Sequence, residues 1–433
     1  MTESACCCLT KGKKRASCAP GSLSIFHRLC LIAVIWCFVF DPPLLGSFSV
    51  LLPIAYAAWI YLALNRSFDG RFVRTELLLM AFGLYLILVA TLNGETISGA
   101  ISFVHWIIEV VPIAFSLTVH LRKRGVGLEE FLMLFVGAAV VEAILVYLAL
   151  FNEGIHERFI QMIVASGAST GDFFEEWGFR SYGLASNLQY SGPIALAMAS
   201  LLAFFRWLEK GTFWSLVISL VLIPAAVVNA RTSLVVIVIG YVGLSLVRVR
   251  KKGLIKGMLV FVFAIVSMLA FIKYAPPTQH IVWIRDALYD ILSVVGFESN
   301  ATYSTFSYFS DSQVYRLPDN PLTFLFGSGS TIILGNSLGA SSDIGFVNDV
   351  WLGGIVYVAA MGTMLIVGAK MVYDCLKKED KITAHSILLI LAICFVVGNV
   401  KGLFLSFNNA STALIFVVCF ILFGSRKRIE WRV

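Results

Sequence analysis

One pattern governs what this chain can fold into. Apolar runs of span length recur along most of it, separated by short polar breaks. A run of about 18 to 24 residues, coiled as an α-helix, matches the hydrocarbon thickness of a bilayer. In lipid every backbone N–H and C=O needs an internal partner, so only helices or a closed barrel can span. A barrel needs short alternating segments, and these are absent. The expected fold is therefore an all-α polytopic membrane protein. Mean hydropathy of +0.87 with 14% charged residues agrees, because a water-facing surface carries far more charge.

About twelve transmembrane helices are expected, at 23–40, 44–65, 76–93, 99–121, 128–151, 187–206, 212–229, 232–248, 257–274, 349–373, 383–400 and 408–424. The basic residues orient them. Arg71 and Arg74, Arg122 to Arg124, Arg206 and Lys210, Arg248 to Lys256, Lys377 to Lys381 and Arg426 to Arg432 all fall on one side. The positive-inside rule makes that side cytoplasmic, with both termini. The net charge of +7 is explained in this way, without a nucleic-acid partner. Lys11, Lys13, Lys14 and Arg15 lead into a full-length span with no small-residue cleavage site, so no cleaved signal is expected.

The opposite side receives two long segments, 152–186 and a large late loop, 275–348. Together they cap one integral membrane domain, 1–433. The stretch "IVWIRDALYDILSVVGF" has helix-like apolar spacing and suits an amphipathic helix lying on the membrane. Short helices are expected in the large loop. Neither segment contains any of the nine cysteines, so no disulfide framework is expected there.

"VVNARTSLVVIVIG" places Arg231 in a break of a few residues between two apolar runs. A cation at a bilayer centre costs about 2.5 to 3.5 kcal/mol, and a hairpin this tight leaves it inside the bundle. Thr232 and Ser233 beside it read as helix-start or pocket hydroxyls. Arg180 stands before the sixth span, Lys401 ends the eleventh, and Arg316 lies in the large loop. Cations from different spans at one depth make a positive pocket that suits a diphosphate, because the guanidinium fork binds phosphate oxygens in pairs. Arg158, Lys273 and Arg285 read instead as side chains reaching for headgroups.

Glu109 and Glu142 lie within spans, and either a proton path or a structural ion pair accounts for them. His105 shares a helix face with Glu109 at i,i+4, which is too few ligands for a metal site. No phosphate-loop lysine motif, dinucleotide fingerprint or nucleophile elbow occurs. The glycine-rich "LFGSGSTIILGNSLGASSDIGF" reads as turns or as flexible backbone near a ligand.

Four stretches in order resemble one known superfamily. They are "FRSYGLASNLQYSGPIALA", "ARTSLVVIVIG", "VYRLPDNPLTFLFGSGS" and "SSDIGFVNDVWLGGIVYVAAMG", spread in order over roughly residues 180–365. They are similar to the signature segments of the O-antigen polymerase and ligase superfamily, including its arginine-led helix start and its Gly-x-Gly turn. Ligases of that superfamily carry a histidine after the glycine turn, whereas this chain has Asp343. That departure points to the O-antigen polymerase (Wzy) branch. An arginine-to-glycine spacing described for polymerases is met only to within one residue: Gly192 and Gly243 stand one place beyond it.

The resemblance implies a glycosyltransferase of the Gram-negative inner membrane, GT-C-like, metal-independent and without a cofactor. Its substrates are undecaprenyl-diphosphate-linked oligosaccharides. It moves the growing glycan from its carrier to the terminal sugar of a new lipid-linked repeat unit, on the periplasmic side. Its other partners are membrane lipids and a chain-length regulator protein. Arg231 and Arg180 clamp the donor diphosphate in this reading. Asp343 is the base, or else a turn cap. Arg316, Lys401, Asn187, Asn348 and Tyr182 contact substrate, with helix capping as the alternative for the two asparagines. Trp177, Tyr303 and Phe306 stack on sugars or pack the loop. The rival activities are ligation of polymer to lipid A–core and flipping of the lipid-linked unit.

Overall fold

The computed structural model describes residues 23–65, 67–68, 70–167, 183–186, 191–247, 282–286, 312–332, 342–378, 380–401 and 408–424, with the single residues Arg180, Gly257, Val260, Val262, Val266 and Tyr289. Among them the regular structure is helical throughout, with no strand. Six helical stretches are long and apolar enough to cross a membrane, and five shorter apolar helices accompany them. The ninth expected span, 257–274, lies almost wholly outside the described residues.

In chain order the helices are α1 (Ile25–Phe40), α2 (Leu51–Leu64), α3 (Gly70–Asn93), α4 (Ser98–His105), α5 (Val111–Lys123), α6 (Leu128–Phe151) and α7 (Glu153–Ala165). There follow α8 (Ser191–Lys210), α9 (Phe213–Val227), α10 (Arg231–Val247), α11 (Pro321–Phe326), α12 (Gly345–Leu376), α13 (Lys381–Lys401) and α14 (Asn409–Gly424). A π-turn, Trp106–Val110, joins α4 to α5. Local chemistry sets several ends. Ser24 and Asn152 accept hydrogen bonds from the first-turn N–H groups of α1 and α7. Pro321 opens α11 behind an Asn320 cap.

Helix α8 is the hub. It packs against α6, α9, α10, α13 and α14, and Ser191 to Phe205 are all buried. Its run of Gly, Ala and Ser lets neighbouring backbones approach closely, which is how helices associate without a hydrophobic drive between them. Hydroxyls then fix the register of α8, α9 and α10. Ser200 and Ser219 each donate to the other's backbone carbonyl, at 2.9 and 2.7 Å, and Ser219 meets the Tyr241 hydroxyl. This places the α9–α10 hairpin, and with it the start of α10, on the core.

Helix α12 is broken. Gly354 has φ 71°, and its missing Cβ leaves room for the Leu325 carbonyl, which any side chain there would overlap. The break frees carbonyls that lipid cannot satisfy. The N–H groups of Ser328 and Gly329 take those of Trp351 and Leu352, at 2.7 and 2.9 Å. The Tyr85 hydroxyl lies 2.9 Å from those of Gly353 and Phe326. The "FGSGS" stretch is thus a set of turns locked into the break, rather than flexible backbone.

Candidate functional site

The site begins where α9 gives way to α10. Val228, Asn229 and Ala230 make the turn, all buried. The Ser233 hydroxyl donates to the Ala230 carbonyl at 2.6 Å, so it is a helix-start group. Arg231 is the first residue of α10, and only 8% of its side chain is exposed. The tight hairpin does leave this cation inside the bundle.

Two arginines converge on one ring. The Arg231 guanidinium carbon lies 4.0 Å from the Trp283 ring centroid, and that of Arg180 lies 4.4 Å away. Such contacts are worth about 2 kcal/mol when desolvated. Arg180 also reaches the Asn229 carbonyl at 3.5 Å, the long end of hydrogen bonding. Asp286, fully buried, stands 3.8 Å from Arg231 and 3.6 Å from the Nε of Arg285. Among the described residues, three guanidiniums therefore gather near one carboxylate and one indole. The positive surplus in a water-poor place suits an anion with several oxygens.

Trp283 and Asp286 revise the reading of their segment. Residues 282–286 are helical, but Trp283, Ile284 and Asp286 are buried and Ile284 joins the main core. These five residues turn inward, and the rest of the expected amphipathic helix, Tyr289 apart, lies outside the described residues. Arg285 comes within 3.6 Å of Asp286 while 37% of its side chain stays exposed. The sequence signal for this was weak: an aromatic and an acid on the apolar face of an amphipathic stretch.

Glu142 has a role that neither expected alternative covers. One carboxylate oxygen accepts from the backbone N–H of Leu184 and Ala185, at 2.8 and 3.0 Å. The other accepts from the Trp36 indole at 2.9 Å. Gly183 lies against this carboxylate, with no room for a Cβ. The Ser186 N–H donates to the Phe40 carbonyl at 2.9 Å. Glu142 thus staples residues 183–186, just beyond Arg180, onto α6 and α1. Among the described residues it forms no ion pair.

The other acids lie apart from the arginines in sequence. His105 Nδ1 is 3.1 Å from Glu109, the expected i,i+4 pair, although Glu109 sits on the π-turn. Asp41 closes α1 in a left-handed conformation, φ 43°. Its carboxylate accepts from the Ser49 hydroxyl at 2.8 Å. Burial pushes the Asp41 carboxyl up to about 6; the Ser49 hydrogen bond opposes this, and the charge of Glu109 adds to it. Among the described residues no group of three or more His, Cys, Asp or Glu is placed to hold a metal ion.

The remaining expected contacts divide. Asn348 is fully buried and fully used: Oδ1 accepts from the Ile332 N–H at 2.8 Å, and Nδ2 donates to the carbonyls of Ser342 and Ile344. It ties the loop to α12, which is the capping alternative and not sugar binding. Arg316 is exposed and pairs with Asp319 at 3.1 Å, while its carbonyl accepts from the Trp351 indole. It does not join the arginine cluster in the described contacts. Asp343 stands half-buried two residues before α12. Lys401 ends α13, but its side chain is outside the described residues, as are Asn187, Tyr182, Trp177, Tyr303 and Phe306. No protein-family model and no curated protein matches this chain.

Proposed function

We propose that this chain is a membrane glycosyltransferase that polymerises lipid-linked oligosaccharide repeat units, the O-antigen polymerase reaction. The observation that carries the reading is the meeting of Arg180 and Arg231 on the face of Trp283. Two cations from separate segments are brought together in a nearly dry place, as a diphosphate requires. The proposal includes twelve spans, a site on the periplasmic side and the inner membrane of a Gram-negative bacterium.

In the reaction, the bond between the donor sugar's anomeric carbon and the diphosphate oxygen breaks. A hydroxyl of the acceptor's terminal sugar forms the new bond. Its proton passes to a base, and polyprenyl diphosphate leaves with the electron pair. Arg231 and Arg180 stabilise the negative charge that grows on the leaving group, often the largest catalytic contribution. Asp286 and Trp283 orient the guanidiniums. Asp343 is the assigned base.

The broken helix α12 is the feature that favours a transporter, because transport sites use discontinuous helices. Its free carbonyls are closed by Ser328, Gly329 and Tyr85, and they are not presented to a passing ligand. Deleting the gene separates the activities. Loss of the polymerase leaves core plus one repeat unit, loss of the ligase leaves core alone, and loss of a flippase strands the unit inside. Arg231→Ala is expected to abolish long chains on a lipopolysaccharide ladder gel while the protein still inserts. A normal ladder from that variant would sink the role given to Arg231.

A further inference from the structure

A second feature lies at the opposite, basic end of the bundle. Helices α1, α2 and α5 leave an open groove of about 520 Å³ between them. Its walls are apolar and include Leu31, Val34, Ile54 and Leu117. One end is different. His27 and His120 stack there with ring centroids 5.6 Å apart and their Nε2 atoms at 3.4 Å. Lys123 stands over the Tyr61 ring at 5.6 Å, and Tyr61 lines the same end. Arg124 and Lys123 both act on His120 electrostatically. None of the lining residues is acidic. The nearby Glu130 is engaged by Arg28 at 2.9 Å.

We propose that this groove holds one acyl chain of an anionic phospholipid, with the lipid phosphate on His27 and His120. The charge pattern selects the occupant. An apolar trough fits a hydrocarbon chain, and it ends in a cluster of rings and cations that, among the described residues, has no acid in its lining. Two imidazoles in contact offer at most one N–H between them toward each other, so the outer nitrogens remain for phosphate oxygens. Residues 27, 31 and 34 span two turns of α1, so the trough runs about 10 Å from the basic end toward the bilayer centre. A headgroup at that end sits where juxtamembrane cations meet anionic lipid. A soluble phosphate would gain nothing from the apolar trough, and a second copy of the chain meeting it groove to groove would bring the same acid-free lining and no complementary charge. The proposal is independent of the glycosyltransferase reading.

The test uses the full-length protein, purified in detergent and titrated with phosphatidylglycerol or with diacylglycerol, which has the same chains and no phosphate, under native mass spectrometry. The wild type is expected to prefer phosphatidylglycerol by about tenfold, as two charge-assisted hydrogen bonds allow. The His27→Ala/His120→Ala variant is expected to bind both lipids about equally. Ala57→Trp, which fills the trough from its exposed wall, is expected to lose both. Inorganic phosphate is expected not to displace bound lipid. A monodisperse elution profile for each variant separates lost binding from lost fold. The proposal falls if the wild type shows no preference, if the histidine variant keeps it, or if phosphate competes. It also falls if Ala57→Trp instead dissociates a dimer, because the groove is then an interface between copies.

Discussion

Glu142 and Arg231 are both ionic residues set among apolar runs, and both are buried. Their surroundings differ in kind. Glu142 is met by three short, directed hydrogen bonds from two backbone groups and an indole. Arg231 lies over a ring face at 4.0 Å, with a carboxylate at 3.8 Å, both supplied by residues 282–286. The first arrangement fixes one geometry and satisfies the acid completely. The second is longer in reach and broad in direction, and it gathers further cations of the same sign. The first charge is scaffold, whereas under the proposed function the second is the one that receives the lipid diphosphate. The two are also linked, since Glu142 holds the backbone just beyond Arg180.

Removing the scaffold charge has the largest effect. Glu142→Ala leaves two backbone N–H groups and one indole N–H buried without an acceptor. The expected loss is about 3 to 5 kcal/mol of stability, read as a lower melting temperature in detergent. Long chains are lost with it, because Arg180 is released. Glu142→Gln keeps a carbonyl acceptor and is expected to retain the ladder. If Gln is as damaging as Ala, the charge itself matters, and the proton-path reading regains ground.

Asp41 tests an intermediate case, a buried acid held by the Ser49 hydroxyl and by backbone groups at the start of α2. Its carboxyl is raised to about 6, above the ordinary value near 4, so the fold favours the protonated form. Below about pH 4 the group is protonated in both states and costs nothing. As pH rises through 4 to 6 stability falls, by up to about 3 kcal/mol. Asp41→Asn keeps the Ser49 acceptor and suits the left-handed backbone. It is expected to melt higher than wild type at pH 7.5 and alike at pH 4. Equal melting at both values would show that Asp41 is not desolvated.

The smallest effect belongs to the ring beneath the arginines. Trp283→Phe keeps a weaker π face and Trp283→Leu removes it. Affinity for a short polyprenyl diphosphate is expected to fall in the order Trp, Phe, Leu, with about tenfold lost at Leu. If Leu binds as well as Trp, the ring only packs, and the contrast between the two buried charges weakens.

The contrast also marks what the sequence made legible. Hydropathy alone foretold an all-helical membrane chain, because a bilayer demands span-length apolar runs, and six helical stretches among the described residues are long and apolar enough to cross. The two-sided apolar context of Arg231, and the break too short to carry it outward, foretold its burial. Arg180 was paired with it on depth alone, and the two do meet. Trp283 and Asp286 were not legible, because which face of their stretch turns inward depends on packing against segments far away in sequence. Asn348 looked like a sugar ligand because an amide serves equally as a cap, and only its three backbone partners decide the matter. Asp41 drew no notice, since an acid at a span end normally faces water. The break at Gly354 was hidden in a continuous apolar run, where glycines are ordinary.

The central claim is that Arg180 and Arg231 together bind a lipid diphosphate. The direct measurement is calorimetric binding of farnesyl diphosphate and farnesol to wild type, Arg180→Ala, Arg231→Ala and the double variant. The account predicts that wild type prefers the diphosphate, that each single variant loses about tenfold or more, and that the double variant loses less than the two losses combined, because both groups grip one anion. Equal binding of farnesol and farnesyl diphosphate by the wild type, or unchanged affinity in both single variants, would contradict it.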